Sequence, residues 1–429
     1  MNDDGAKAVA PFRVLHSSDW HLGAQLAGRR RHEEQRAFLD WLTETLRREA
    51  VDCLVVAGDI FDTTVPTNQA QRLLYDFLVS VARGGACRHV VLVAGNHDSV
   101  SFLEAPRQLL GALDIHVVAE IGEGPEDDVF VLDDASGRPA LIVGAVPYLR
   151  DRDMRRQAAG ETAADKERLL LEGIAAHYAK IGRRAEALRA AERGRSGRRL
   201  PILLTGHLFA AGGRTALDDG VRELYVGSLG RVPREVFPAA ADYVALGHLH
   251  AAQTVAGDPG VRYSGAPLAL GFGEAGRERQ VLRVDFAEGG PVVEAIAVPV
   301  FQRLARIEGN LAELGREVAA LVADGESVLV ELRYTGDEIV PDLAARMEDL
   351  VEGSAVELLR VLNPRALAQL LPDGRERLSL GELEPAEVFE RCLEENEVPA
   401  EQREELRLCF AEIVAALQAH DAGDGDATT

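Results

Sequence analysis

The run VALGHLHAAQ, residues 244–253, is a short apolar segment that stops at two histidines one residue apart, His248 and His250. A β-strand that only needed to end would more often do so at Gly, Asn or Pro. The histidine pair therefore indicates a site at the end of this strand. The groups that complete such a site must come from elsewhere in the chain.

Five short runs in the first 250 residues are rich in Val, Leu and Ile, as buried parallel strands are. They are FRVLHSSD (12–19), DCLVVAGD (52–59), HVVLVAGNHD (89–98), PILLTGH (201–207) and DYVALGHLH (242–250). Helical patterns at 33–50 and 67–85 alternate with them, which predicts an α/β core with a mainly parallel sheet.

Each of these runs ends in groups that could hold a metal ion. In chain order the groups are Asp19 with His21, Asp59, Asn96 with His97, His207, and His248 with His250. In an open parallel sheet, ligands gather at the carboxyl ends of the strands, so we expect these groups to meet in one crevice. Gly58, Gly95, Gly206 and Gly247 each precede one of the groups, where a sharply turning strand lacks room for a side chain.

The donor set predicts two metal ions rather than one. Apart from His97, the groups are two carboxylates, one amide oxygen and four imidazoles, which suit divalent ions such as Mn, Fe or Zn. Seven ligands are too many for a single four- to six-coordinate ion that also binds water. They divide naturally between two ions that share a bridging carboxylate, about 3.5–4 Å apart, as in two-metal hydrolases.

Five motifs occur in an order that resembles the complete signature of the calcineurin-like metallophosphoesterases. They are DWH (19–21), GD (58–59), GNHD (95–98), GH (206–207) and GHLH (247–250). The sequences that flank these motifs, together with RYSGAPLALGFGE (262–274), resemble the bacterial SbcD branch of that family, the nuclease subunits of SbcCD complexes. The likeness extends over nearly the whole chain.

The resemblance implies roles for individual residues in a calcineurin-like α/β core. One Mn²⁺ ion would be held by Asp19, His21, Asp59 and His250, and a second by Asp59, Asn96, His207 and His248, with Asp59 bridging. His97 would face the scissile phosphate, where an imidazole can transfer a proton near neutral pH. Asp98 would orient His97. Archaeal and eukaryotic relatives carry a histidine where this chain has Asp62, so no role of that histidine is transferred.

The chain is long enough for two or three domains. Residues 302–362 follow a β-α-β-α-β pattern. We expect a metallophosphoesterase domain at 12–300, a cap domain at 301–365, a helical segment at 366–420 and an acidic tail at 421–429. An apolar helical stripe in the third part includes Leu406, Phe410, Ile413 and Leu417. This stripe either packs on its own domain or docks on a partner, which the resemblance implies is the coiled-coil ATPase SbcC.

The formal net charge of −23 argues at first against a nucleic-acid partner, but its distribution weakens that objection. Residues 381–429 alone carry −11, and basic runs occur at 28–36, 149–156 and 183–199. The run at 183–199 is as well explained by a solvated helix as by phosphate contacts. Arg29, Arg30 and Arg31 directly follow the first motif and are candidate DNA contacts.

Composition favours a cytoplasmic protein. No apolar run approaches the roughly 18–20 residues of a membrane span. Asp3 and Asp4 stand where a signal peptide would be basic. The four cysteines are scattered, which fits a reducing compartment and excludes a cysteine zinc site.

The function implied by the resemblance is hydrolysis of DNA phosphodiester bonds in recombination, replication and repair. With SbcC the family acts as an ATP-dependent double-strand exonuclease and a single-strand or hairpin endonuclease, and it forms a homodimer within a heterotetramer. This chain has no GxxxxGK[ST] sequence, so ATP is expected to bind the partner. Two alternatives stay open. One is a small-molecule phosphomonoesterase or cyclic-nucleotide phosphodiesterase, and the other is a metal-binding scaffold for an ATPase.

Most remaining histidines are expected to be ordinary surface or core residues. His16 is the exception to check, because it lies within the run that carries the first motif.

Overall fold

The structure is a computed structural model that describes residues 11–154, 162–210, 232–338, 340 and 342–363. The chain separates into two compact units, Met1–Ala366 and Leu367–Thr429. All described residues belong to the first unit. The stripe residues Leu406, Phe410, Ile413 and Leu417 lie outside the described residues, so their predicted role stays a prediction.

The described part of the chain contains the strands and helices predicted between residues 12 and 362, whereas the predicted helical segment at 366–420 lies outside the described residues. In chain order the strands are β1 (Phe12–Ser17), β2 (Gln25–Leu26), β3 (Arg29–Arg30), β4 (Cys53–Ala57), β5 (His89–Val93), β6 (Ile115–Val118), β7 (Val129–Asp133), β8 (Pro139–Gly144), β9 (Ile202–His207), β10 (Tyr243–Gly247), β11 (Gln253–Val255), β12 (Asp258–Tyr263), β13 (Arg279–Ala287), β14 (Gly290–Val298), β15 (Arg303–Gly309), β16 (Val328–Tyr334) and β17 (Val356–Leu362). The α-helices are α1 (His32–Arg48), α2 (Asn68–Gly84), α3 (Val100–Glu104), α4 (Arg107–Gly111), α5 (Pro125–Asp128), α6 (Asp151–Met154), α7 (Ala163–Ser196), α8 (Leu311–Asp324) and α9 (Leu343–Val351).

The five runs that end in potential metal ligands are β1, β4, β5, β9 and β10, and they divide between two sheets instead of sharing one. The strand order is β14-β13-β1-β4-β5-β6 in the first sheet and β11-β12-β10-β9-β8-β7 in the second. In each sheet four neighbouring strands are parallel, and the flanking β13, β14, β7 and β11 pair antiparallel. The prediction of mainly parallel strands is therefore confirmed, but the expectation of one sheet is corrected to two sheets with antiparallel flanking strands.

The two sheets pack face to face, and helices cover their outer faces. Along β4, Cys53 and Val55 join a core shared with the second sheet, whereas Leu54 and Val56 pack with α1 and α2. The second sheet alternates in the same way and packs against α7 on its outer face. Since both faces of each sheet are buried, the strands read as continuous apolar runs. Such a run indicates that both faces of the strand are buried. It does not indicate whether a helix or a second sheet packs on each face.

A third sheet has the all-parallel order β15-β16-β17 and packs against α8 and α9, as the β-α-β-α-β pattern predicts. It adjoins the larger part through an apolar cluster of Leu26, Phe272, Leu304 and Leu329. An ion pair of 2.7 Å between Arg29 and Glu357 lies on the same side. Among the described helices, none combines the length and apolar character needed to cross a bilayer.

We expect the core between the two sheets to dominate stability. Leu203 on β9 is fully buried in it. Replacement Leu203→Ala should lower the free energy of unfolding by about 2–5 kcal/mol, because it removes buried methyl groups and leaves a cavity. Val292 on β14 is 63% exposed and offers a matched control, so Val292→Ala should change stability by no more than about 0.5 kcal/mol. Urea unfolding followed by circular dichroism measures both. Equal effects of the two substitutions would contradict this view of the core.

Candidate metal centre

The groups that follow β1, β4, β5, β9 and β10 lie together, as their positions in the sequence predict. Their metal-binding atoms form overlapping sets within 4.8 Å: Asp19, His21 and His250; His21, Asp59 and His97; and Asp59, His207 and His248. Except for His97, the side chains in these sets are buried. The carboxyl ends of strands from two different sheets thus meet in one crevice.

Asp59 lies between two clusters of donors. Its Oδ2 is 3.6 Å from His21 Nε2 on one side and 3.2 Å from His207 Nε2 on the other. The Oδ1 of Asn96 lies 3.0 Å from His207 Nε2 and 3.1 Å from His248 Nδ1. We call the cluster of Asp19, His21 and His250 position A, and the cluster of Asn96, His207 and His248 position B. Asp59 is the carboxylate between them.

The backbone at the site is strained in a way that brings the donors together. Asp19, His21, Asp59 and His248 all have positive φ angles, of 54°, 45°, 50° and 103°. Such angles are uncommon for residues other than glycine, and they collect at functional sites because the surrounding structure must hold them. The backbone is also closely packed at Gly247, where a Cβ would collide with the carbonyl oxygen of Ala57.

The electrostatics of the cluster favour positive charge. Burial alone would raise the pKa of Asp59, but the imidazoles of His207, His21 and His97 outweigh it and hold that pKa well below its usual range. Burial opposes protonation of His207, yet Asp59 raises the pKa of His207 to about 9. Burial and the neighbouring His207 lower the pKa of His248 to about 3. The buried carboxylate of Asp59 thus favours a proton on His207. A metal cation bound between the two side chains can replace that proton.

The residues present fit divalent metal ions. The Nε2 atom of His21 is buried and has no hydrogen-bond partner among the described residues, a costly arrangement unless something else binds it. Carboxylate, amide and imidazole donors together suit Mn²⁺ and related ions.

His97 lies beside the cluster and is held by the backbone rather than by Asp98. Its amide donates to Asp59 Oδ1 at 2.9 Å, and its Nδ1 is 2.8 Å from the carbonyl oxygen of Asp62, to which it donates. The carboxylate of Asp98 instead accepts from the backbone amides of Ile60, Phe61 and Gly95. The expectation that Asp98 orients His97 is therefore wrong. Asp98 ties together the loops that follow β4 and β5.

Sequence reasoning missed two carboxylates that lie behind the position A histidines. Glu274 Oε1 is 3.3 Å from His250 Nδ1, and Asp62 Oδ1 is 3.2 Å from His21 Nδ1. Arg279 Nη2 donates to Glu274 Oε2 at 3.0 Å. One signal was available, because Glu274 is an acidic residue that closes the largely apolar stretch 262–274.

The three arginines after the first motif differ in their surroundings. Arg30 is exposed, and Arg29 pairs with Glu357. Arg31 is 3% exposed, and its guanidinium donates twice to Glu34 and once to the carbonyl of Ala269. Arg31 as a DNA contact is therefore a corrected expectation, because its guanidinium is buried and bonded to groups within the protein.

The basic run at 183–199 lies partly at the far end of the second sheet. Arg189 and Arg199 both pair with Asp242, which precedes β10, whereas His248 follows β10. The five residues of β10, roughly 15 Å, separate these arginines from the metal centre. This placement favours the structural interpretation for Arg189 and Arg199.

His16 is a core residue. Its Nδ1 is 3.0 Å from the Tyr243 hydroxyl, and its Nε2 is 3.2 Å from the carbonyl oxygen of Leu246. Burial lowers its pKa to about 3, so the ring is neutral and accepts from Tyr243 while donating to Leu246.

Comparison with known proteins agrees with this geometry. The calcineurin-like phosphoesterase family model matches residues 12–252, and the model described as the type 5 capsule protein repressor C-terminal domain matches residues 300–397. The SbcD component of the nuclease SbcCD from Escherichia coli strain K12 is 36% identical over 409 residues, which cover 95% of this chain and 98% of that protein. This chain belongs to the SbcD family of calcineurin-like phosphoesterases.

Other SbcD proteins match over similar lengths. The SbcD protein of Rhodobacter capsulatus is 35% identical over 81% of this chain and 86% of its own length. That of Bacillus subtilis is 30% identical over 96% of this chain and 100% of its own. As a calcineurin-like phosphoesterase, this SbcD-family chain is a metal-dependent hydrolase that binds divalent ions. All seven predicted ligands lie within the phosphoesterase match, whereas Glu274 and Arg279 lie outside both matched ranges.

The contrast between Arg31 and Arg30 can be tested directly. Replacement Arg31→Ala should lower the free energy of unfolding by about 3 kcal/mol, because it leaves the Glu34 carboxylate buried without its partner. Arg30→Ala removes an exposed charge next to it and should change stability by about 0.5 kcal/mol or less. Denaturant unfolding of both variants checks this. A stability loss for Arg30→Ala that equals the loss for Arg31→Ala would contradict the burial argument.

Proposed function

We propose that this chain is the nuclease component of an SbcCD-type complex and hydrolyses DNA phosphodiester bonds with two Mn²⁺ ions. The observation that carries this proposal is the pair of donor clusters, positions A and B, on either side of Asp59. Two ions about 3.5–4 Å apart are the arrangement that two-metal phosphoester hydrolases use to clamp the reacting phosphate.

The proposed ligand sets follow the two clusters. Position A takes Asp19, His21 and His250 together with Asp59, and position B takes Asn96, His207 and His248 together with Asp59. When bound, the ions supply Lewis acidity that polarises the phosphate and lowers the pKa of water. The protein supplies rigid placement. Positive φ angles set the backbone at four of the donors, and Asp98 holds the loops after β4 and β5 together before substrate arrives.

His97 is the proposed proton-transfer group. Its Nδ1 hydrogen is committed to the Asp62 carbonyl, so Nε2 is the nitrogen that can exchange a proton with the leaving oxygen. Its amide hydrogen bond to Asp59 ties its position to the carboxylate between the two metal positions. His97 is also more accessible than the ligand histidines His21, His207, His248 and His250.

The proposed substrate and partner come from the SbcD relatives, whose names place them in SbcCD complexes. We infer that this chain is cytoplasmic and that it binds DNA and an SbcC-type coiled-coil ATPase, as a homodimer within a heterotetramer. With that partner it acts as an ATP-dependent double-strand exonuclease and as a single-strand or hairpin endonuclease. The domain division at 12–300, 301–365, 366–420 and 421–429 belongs to this proposal. Arg30 and Arg29 remain the proposed DNA contacts.

The deciding experiment incubates purified chain and Mn²⁺ with an end-labelled linear duplex and a labelled hairpin, with and without EDTA. The same reactions are repeated with the SbcC-type partner and ATP. Chelator-sensitive cleavage that becomes ATP-dependent on duplex ends is the expected result. Bound Mn²⁺ with no cleavage of any DNA, but hydrolysis of cyclic nucleotides or p-nitrophenyl phosphate, would favour the small-molecule phosphoesterase instead. Bound Mn²⁺ without hydrolysis of any substrate would favour the scaffold.

His97→Ala should lower the cleavage rate by about 100- to 10,000-fold while the bound Mn²⁺ stays at the wild-type level, because His97 transfers a proton but binds no metal. His116→Ala is a matched control, since His116 stacks on Phe130 away from the metal centre and its loss should leave the rate unchanged. If His97→Ala also lost bound Mn²⁺, His97 would be a ligand and the proposed role would be wrong.

The apolar stripe predicts the partner contact. Phe410→Asp together with Ile413→Asp should weaken binding to the SbcC-type ATPase by at least tenfold in a pull-down or calorimetric titration, because two charges would enter an apolar interface. On the predicted helix, Ala411→Asp with Ala415→Asp places the same charges on the opposite face and should not weaken binding. Undiminished binding of the Phe410 and Ile413 variant would refute this docking site.

A further inference from the structure

The histidines of position A and His207 of position B have different supports behind their imidazole rings. At position A, the Nδ1 atoms of His21 and His250 face carboxylates, Asp62 Oδ1 at 3.2 Å and Glu274 Oε1 at 3.3 Å. At position B, the Nδ1 of His207 lies 2.9 Å from the backbone carbonyl of Ala57. A carboxylate behind a metal-binding imidazole raises its basicity more than a neutral carbonyl does.

We propose that Glu274, assisted by Asp62, is a positioning residue that makes position A the tighter of the two metal positions, so that the two ions bind in order. This inference rests on the proposed ligand sets. It concerns residues outside those sets, and Glu274 lies beyond the part of the chain that the phosphoesterase family model matches.

Glu274 is held in one orientation. It is 1% exposed, and its Oε2 accepts from the backbone amide of Leu270 at 2.7 Å and from Arg279 Nη2 at 3.0 Å. Arg279 also donates to the backbone carbonyl of His250 at 3.3 Å. Because two donors hold Oε2, Oε1 is the atom left to face the His250 ring.

This orientation determines which nitrogen of His250 can bind a metal. A carboxylate oxygen is only an acceptor, so the His250 Nδ1 that faces it must carry the hydrogen. The lone pair is then on Nε2, the ring atom available to an ion at position A. The Asp62 carboxylate favours the same arrangement in His21, whose Nε2 lies on the side of Asp59.

The charges of the two positions add to the difference. The ligand set proposed for position A contains two carboxylates, Asp19 and Asp59, and the set for position B contains only the shared Asp59. Asp19 and Asp59 are 0% and 2% exposed, so water screens their attraction for a cation weakly. Position A should therefore fill first.

The test is a Mn²⁺ titration of the full chain, in which electron paramagnetic resonance measures the free ion and no catalytic activity is needed. Wild-type protein should bind two ions in two affinity classes. Glu274→Gln should weaken the tighter class by about 10- to 100-fold. The two donors at Oε2 will keep the amide oxygen on their side, so the amide NH₂ faces Nδ1 and favours the wrong His250 tautomer. Asp62→Asn should act in the same direction but less strongly, because the Asp62 side chain is 38% exposed.

Two controls assign the effect. Glu331 is also 1% exposed and ion-paired, with Arg306 and Arg360, but it lies on β16 in the small sheet. Glu331→Gln should leave both affinity classes unchanged. Asn96→Ala removes a proposed position B ligand and should abolish the weaker class while the tighter class stays. Thermal unfolding shows that each variant is folded.

The outcomes separate this inference from the proposed function. Two equal affinities in the wild type, an unchanged titration for folded Glu274→Gln, or loss of only the weaker class in that variant would each overturn the ordered binding. Two classes that respond as expected, in a protein that cleaves no DNA, would support the inference and count against the nuclease. Wild-type protein that binds no Mn²⁺ would overturn both.

Discussion

A buried negative charge at Asp59 is the constraint on which the rest of the site depends. The side chain is almost inaccessible to water, and a carboxylate removed from water must be matched by positive charge or by hydrogen bonds. The structure meets this need with the amide of His97 on one oxygen and the imidazoles of His21 and His207 around the other. A site built in this way favours the binding of cations. Two metal ions would neutralise the Asp59 carboxylate more fully than protons on the neighbouring imidazoles do.

The two-sheet architecture makes such a concentration of donors possible. Each sheet contributes strand ends that already point into the crevice, and the apolar layer between the sheets holds those ends at a fixed separation. Asp98 reinforces the arrangement, because its carboxylate collects three backbone amides from the loops after β4 and β5. The positive φ angles at Asp19, His21, Asp59 and His248 persist because these packed elements leave no alternative backbone path.

The segment around Glu274 links the metal centre to the small sheet. Glu274 and Arg279 support His250, while Phe272 in the same segment packs with Leu304 and Leu329 of β15 and β16. Side chains that support His250 and side chains that hold the small sheet thus lie a few residues apart. The buried Arg31 joins them by donating to the carbonyl of Ala269. Changes in this segment therefore affect both packing and the orientation of His250.

The sequence by itself determined the strands, their order and the identity of the groups at their ends. Apolar runs of five or six residues and the glycines before each donor report local burial and local turning, which depend on neighbours in the chain. Only the tertiary structure decided that the strands form two sheets and that Asp62, rather than Asp98, holds His97. It also decided that Arg31 is buried and that Glu274 stands behind His250. These contacts join residues that are mostly distant in the chain. The spacing of residues along the sequence does not predict which of several polar groups will lie together in the folded protein.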